Sequence, residues 1–273
     1  MINQFALLIT VYLVGALFTF ILFLDLGPFI RSIMAPFIGI YFASQSIAFL
    51  YTLNFEASLV RWVITTSLIW ISIFLIKTRL RKNSVNVFMN YCYERWNYKV
   101  FFRGLLLYSV IAYLLVKMGH ATTVPDSTQF EGVGRLIAQG AGILDSVSWL
   151  SFLVNGRLLV IGAMHALSRL FGAYSLYSYF PLVSIWFLIL VGCLIITCCQ
   201  PNNRKLTIAL TIIILTSLGY YKNFYKYAFM VHSNITAMIY FSLAIISVYL
   251  YSRTDKKRLA VFWLLFRGCS HIS

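Results

Sequence analysis

Acid is the scarce ingredient of this chain. Seven Asp and Glu stand against 22 Lys and Arg over 273 residues, and the four charged types together make up 11 % of the sequence. An ordinary soluble domain carries about 25 %, so a water-facing globular surface is excluded. Histidine is rarer still, at four, with no two at the i,i+4 spacing of a helical metal pair. The five cysteines, Cys92, Cys193, Cys198, Cys199 and Cys269, show no metal-ligand spacing; Cys193, Cys198 and Cys199 lie in or at the end of an apolar run and read as small buried or lipid-facing residues. No disulfide, zinc site, other metal or cofactor is expected. A Walker-type phosphate loop is also missing, which excludes ATP-driven transport by this chain alone. At the N-terminus, "MINQFALLITVYLVGALFTFILFL" lacks the basic n-region and the small-residue cleavage site of a signal peptide, so its apolar run reads as a membrane span.

What the chain has in abundance is apolar surface. Hydrophobic residues make up 61 %, aromatic residues 17 %, and the mean hydropathy is +0.85. These values predict an all-α, polytopic transmembrane helix bundle. Candidate spans near the roughly 20 residues a helix needs to cross the hydrocarbon core fall at 4–24, 33–53, 59–76, 101–117, 177–199, 205–221 and 232–251, and an eighth begins near Leu259. The expected fold is thus seven to eight spans. Three basic clusters set the orientation: "KTRLRKN" (77–83) with Arg95, Lys99 and Arg103, "NNRK" (202–205), and "SRTDKKR" (252–258). Basic loops stay cytoplasmic, and all three clusters agree on one topology. It places the N-terminus outside, the 25–32 turn inside, and one long external loop at 118–176. The net charge of +15 is spent on these orientation signals, so nucleic acid is not an expected partner. The expected location is the cell membrane, multi-pass, as in a bacterial inner membrane.

The external loop concentrates the scarce acid. Asp126, Glu131 and Asp145 are three of the seven. Its apolar pieces, "GILDSVSWLSFLV" and "RLLVIGAMHALSRLFG", are interrupted by Asp145, Arg157, His165 and Arg169 and read as amphipathic helices at the outer interface. A re-entrant or spanning hairpin there keeps the flanking orientation the same. Residues 1–100 then form an N-terminal block of membrane helices with a basic cytoplasmic loop, and 101–273 a second membrane region built around the external loop.

The order of parts from about 100 to 252 resembles a known group. An external "PDSTQFEGVGRLIAQG" follows a span with basic residues before it. Interfacial helices then lead into "ALSRLFGAYSLYSYFPLVSIWFLILVGCLIITCC", a basic turn, and "RKLTIALTIIILTSLGYYKNFYKYAFMVHSN". This resembles polytopic membrane glycosyltransferases of the GT-C type, which take sugar from a polyprenyl-phosphate carrier on the outer side of the membrane. The resemblance implies that an acidic residue early in the first long external loop is essential, and the matching position is Asp126; Leu170 to Gly172 match the family's "LFG" before a span. It also implies a polyprenyl-phosphate-linked sugar and membrane lipid as partners. The chain departs from the pattern in stopping after "VFWLLFRGCSHIS", without a soluble C-terminal domain, which implies an abbreviated or truncated member. The first 76 or so residues are an additional block.

The residues themselves suit that chemistry. Transfer to a hydroxyl needs a base for the acceptor proton, and a carboxylate within hydrogen-bond reach serves. Asp126 has the right type and side. It or Ser127 equally suits the N-cap of a helix over the following residues, and sequence alone leaves both roles open. Glu131 is a secondary acid, or a solvated residue paired with Arg135 four positions on. Arg135, Lys222, Lys226 and His232 are the candidates to hold the donor phosphate, Arg through its planar fork. "YYKNFYKYAFMVHSN" equally reads as an interfacial belt of aromatics and snorkelling lysines. A transporter or flippase subunit would use the same external features. Transport pathways, however, need ionisable residues inside spans and repeat-related broken helices, which this sequence largely lacks. A polymerase or ligase of envelope polysaccharide shares the lipid-linked donor and is the nearest alternative.

Overall fold

The computed structural model describes residues 2–24, 26–53, 55–80, 84–118, 159–173 and 179–198, together with Gly132, Gly134, Arg135, Ile137, Ala138, Ile208 and Ile212. Among these the secondary structure is entirely helical: α1 (Ile2–Leu22), α2 (Pro28–Thr52), α3 (Leu59–Leu80), α4 (Val85–Glu94), α5 (Tyr98–Met118), α6 (Leu159–Leu170) and α7 (Tyr179–Cys198). Four of them, α1, α2, α3 and α5, are long and apolar enough to cross a membrane. The span expected at 177–199 is a helix of 20 residues, and Ile208 and Ile212, in the span expected at 205–221, are helical. The span at 232–251 and the one beginning near Leu259 lie outside the described residues.

Local chemistry sets the helix ends. Ser58 Oγ accepts the Arg61 amide at 3.3 Å, Ser84 Oγ that of Val87 at 3.4 Å, and Asn97 Oδ1 that of Val100 at 3.2 Å, each satisfying an amide that the first turn leaves open. Lys77 and Arg79 lie in the last turn of α3, where a cation meets the negative end of the helix dipole. At the start of α2, Pro28 occupies the first helical turn, where its missing N–H costs nothing. The span expected from 33 therefore begins a turn and a half earlier and takes in Arg31. Hydroxyls within the helices turn back on their own carbonyls: Ser44 on Ile40 (2.6 Å), Ser46 on Phe42 (2.7 Å), Thr78 on Phe74 (2.9 Å) and Ser109 on Leu105 (2.7 Å). That leaves them satisfied without water.

The centre of the packing is α2. Gly15 of α1 and Gly39 of α2 bring two backbones together: a Cβ on Gly15 would lie 1.6 Å from the Ala35 carbonyl oxygen, and one on Gly39 would lie 1.8 Å from that of Val11. Ala35, Gly39 and Ala43 recur every fourth residue, so one face of α2 is built of small side chains, which is how membrane helices approach closely. Beside this contact Phe18 stacks on Phe42 with ring centroids 3.7 Å apart. A polar node ties in α5: Tyr12 and Ser32 share a hydrogen bond of 2.7 Å, Tyr12 also donates to the Phe101 carbonyl at 3.3 Å, and Gly104 leaves room for both hydroxyls. Indole N–H groups complete the seams: Trp186 of α7 donates to Ile33 O at 2.7 Å, Trp62 to Ala43 O at 3.2 Å and Trp70 to Leu17 O at 2.9 Å.

Helix α4 was not anticipated by the span pattern. Phe88 and Cys92 on one of its faces are fully buried and pack with Ile21, Leu24 and Phe74, closing the ends of α1 and α3. Helix α6 forms where "RLLVIGAMHALSRLFG" predicts a helix, but residues 162–168 are all buried and the helix lies against α2. Here the small residues Gly162, Ala163 and Ala166 let the helix pack on every side.

Candidate functional site

The segment that carries the expected chemistry is described only in part. Asp126, Glu131, Lys222, Lys226 and His232 lie outside the described residues, as do His120, Asp145 and Arg157. Gly132, Gly134, Arg135, Ile137 and Ala138 are helical, in keeping with a helix in the stretch after Asp126. Its position comes from one close contact. A Cβ on Gly134 would lie 2.4 Å from the His165 Cβ and 3.1 Å from both the Gly162 carbonyl oxygen and the Ala166 amide, so only glycine lets this turn rest against α6. Ile137 is buried and Arg135 exposed.

The "LFG" stretch has a physical reading of its own. Gly172 has a φ of 64°, in the left-handed region that favours glycine. Its amide donates to Arg169 O at 2.8 Å and the Ala173 amide to Ser168 O at 2.7 Å. This is the paired reversal that ends a helix in a Schellman motif. Phe171 meets the Trp62 ring edge-on at 6.0 Å, and Asn3 Nδ2 donates to Gly172 O at 3.2 Å. Leu170 to Gly172 therefore terminate α6 and fasten it to α1 and α3.

Two of the expected loop charges besides Arg135 are described. His165 is buried, with its carbonyl accepting Ser168 Oγ at 2.8 Å, and Arg169 is half-buried. Arg61, close by in α3, sits 4.0 Å from Glu56, both exposed, a pair worth little in water. Among the described residues no three His, Cys, Asp or Glu side chains gather as a metal site.

One residue escaped the sequence reading altogether. Arg31, treated there as part of a short cytoplasmic turn, is only 1 % exposed. The available signal was its place just after Pro28: a proline that starts a helix turns the next few residues into its first turn, and a long side chain there has the neighbouring elements to reach. No family model, curated protein or solved structure matches the chain.

Proposed function

We propose that the chain is a multi-pass protein of the cell membrane, of seven to eight spans, that transfers a sugar from a polyprenyl-phosphate carrier to an acceptor at the outer face. The observation that supports this reading most is the stretch from Asp126 to Arg135. Its sequence holds carboxylates and a guanidinium in the one long segment expected outside from the basic clusters, and Arg135 is exposed while Gly134 rests on α6. In this reading Asp126 takes the acceptor proton as the carrier phosphate leaves, Glu131 is a secondary acid, and Arg135, Lys222, Lys226 and His232 hold the phosphate. A base and a set of phosphate-binding cations are the minimum such a transfer needs.

The test separates catalysis from helix capping. Asparagine caps a helix about as well as aspartate but cannot take a proton. Asp126→Asn should insert and fold like the wild type and lose at least about 10²-fold in transfer of radiolabelled sugar from carrier to acceptor in membranes; Glu131→Gln should be much milder. Full transfer by Asp126→Asn would reduce Asp126 to a cap.

A further inference from the structure

The turn between α1 and α2 meets the joint between α4 and α5 around a cavity of about 370 Å³. Asn97 lines it beside Leu24, Leu26, Gly27, Pro28 and Trp96, and its charged groups are Arg31, Arg95 and Glu94. That volume falls in the range of small-ligand sites. Arg31 decides its chemistry. Nη2 donates to the Arg95 carbonyl oxygen, but Nε and Nη1, both buried, have no hydrogen-bond partner among the described residues. A guanidinium carries five N–H donors, so three of Arg31's are taken out of water unmet. Leaving a buried charged group in that state costs far more than pairing it.

The surroundings select the sign and type of partner. Arg95 lines the same cavity, steadied by Nη1 on Leu24 O at 3.2 Å and by its position 4.7 Å from the Tyr91 ring centre. Helix α2 begins at the cavity with no side-chain cap on Gly27, which turns the positive end of its dipole toward it. Glu94 is exposed, with water available to solvate it. Lys77 and Arg79 end α3, which packs on α4 through Phe74 and Phe88, and Lys99 and Arg103 follow in α5. Phe29, Tyr93 and Tyr98, next in sequence to the lining residues Pro28, Glu94 and Asn97, are exposed, the residue types that collect at a membrane–water boundary.

We propose that this cavity binds a phosphate group between the guanidinium groups of Arg31 and Arg95, at a place separate from Asp126. Guanidinium forks match phosphate oxygens geometrically as well as electrically. A lipid headgroup and a free phosphate share this chemistry, and the experiment tells them apart.

The full chain in dodecyl maltoside micelles, which contain no phosphate, is followed by Trp fluorescence and thermal unfolding. One arm adds inorganic phosphate against chloride at fixed ionic strength. The other adds phosphatidylglycerol against a diacylglycerol glycolipid with the same tails. A saturable response to phosphatidylglycerol alone assigns the site to a lipid headgroup; a response to inorganic phosphate as well assigns it to phosphate in general. In either case Arg95→Gln, whose side chain is exposed enough to spare the fold, and Arg31→Lys, which keeps the charge without the fork, should each weaken binding at least about tenfold. Arg79→Gln should leave it unchanged. Equal responses to phospholipid and glycolipid with none to phosphate would overturn the proposal, as would equal losses in Arg79→Gln and Arg95→Gln. Asp25 lies in the same turn by sequence and outside the described residues. Should Asp25→Asn bind phosphate where the wild type binds neither probe, Arg31 is neutralised within the chain and the site is not a ligand site.

Discussion

Helices α2 and α3 are neighbours, and α3 is the more apolar over its best stretch, yet 83 % of the α2 stretch is buried inside the protein against 17 % of α3. In water the order would be reversed. Lipid tails are as apolar as leucine, so hydrophobicity gives a membrane helix no reason to prefer protein to lipid. What draws α2 inward is close backbone approach at Gly39, the small face of Ala35 and Ala43, and the donors that reach its carbonyls from Trp62 and Trp186. Exposed Val63, Leu68, Leu75 and Ile76 leave α3 content with its outer face in lipid.

The backbone contact between α1 and α2 is the most sensitive point of this packing. Gly39→Leu places a Cβ within 1.8 Å of the Val11 carbonyl oxygen, where only movement of a whole helix can relieve the clash. A loss of about 3 kcal/mol or more is expected, read by equilibrium unfolding in mixed micelles, with a matching fall in folded yield. Tyr12→Phe comes next. It removes the 2.7 Å bond to Ser32 and the donor to Phe101 O without changing the packed ring, and interhelical hydrogen bonds in membranes are worth about 0.6 to 1.7 kcal/mol; about 1 kcal/mol should be lost in the same assay. Leu68→Ala on the lipid face of α3, at 58 % exposure, sharpens the contrast with a loss below about 0.5 kcal/mol. A cost at Leu68 equal to that at Gly39 would mean that α3 is covered by another helix rather than by lipid.

Much of the helical frame was readable because crossing a membrane makes a simple demand on sequence. The runs at 4–24, 59–76, 101–117 and 177–199 become α1, α3, α5 and α7 within a few residues at either end. Helix α4 was hidden because its ten residues fall between basic clusters and bury Phe88 and Cys92 against residues that are distant in sequence. Its polar side masks the signal that a hydropathy reading uses. At α6 the helix itself was legible from its residues, but not its packing, since small side chains bury it against α2. In the candidate site, the helical turn around Arg135 was legible from the pattern after Asp126, but the glycine contact that anchors it to α6 joins positions about thirty residues apart and leaves no local trace.

Composition and the spacing of apolar runs determined by themselves that this chain is helical and suited to lipid, because in a medium without water every backbone donor and acceptor must be met within its own helix. They also fixed where its charges gather. Only the tertiary structure decided which helix stands in the middle and that Arg31 is enclosed beside Arg95. Those outcomes depend on which small residues face one another and which donors find carbonyls across a seam, and such pairings are made between segments that the sequence keeps apart.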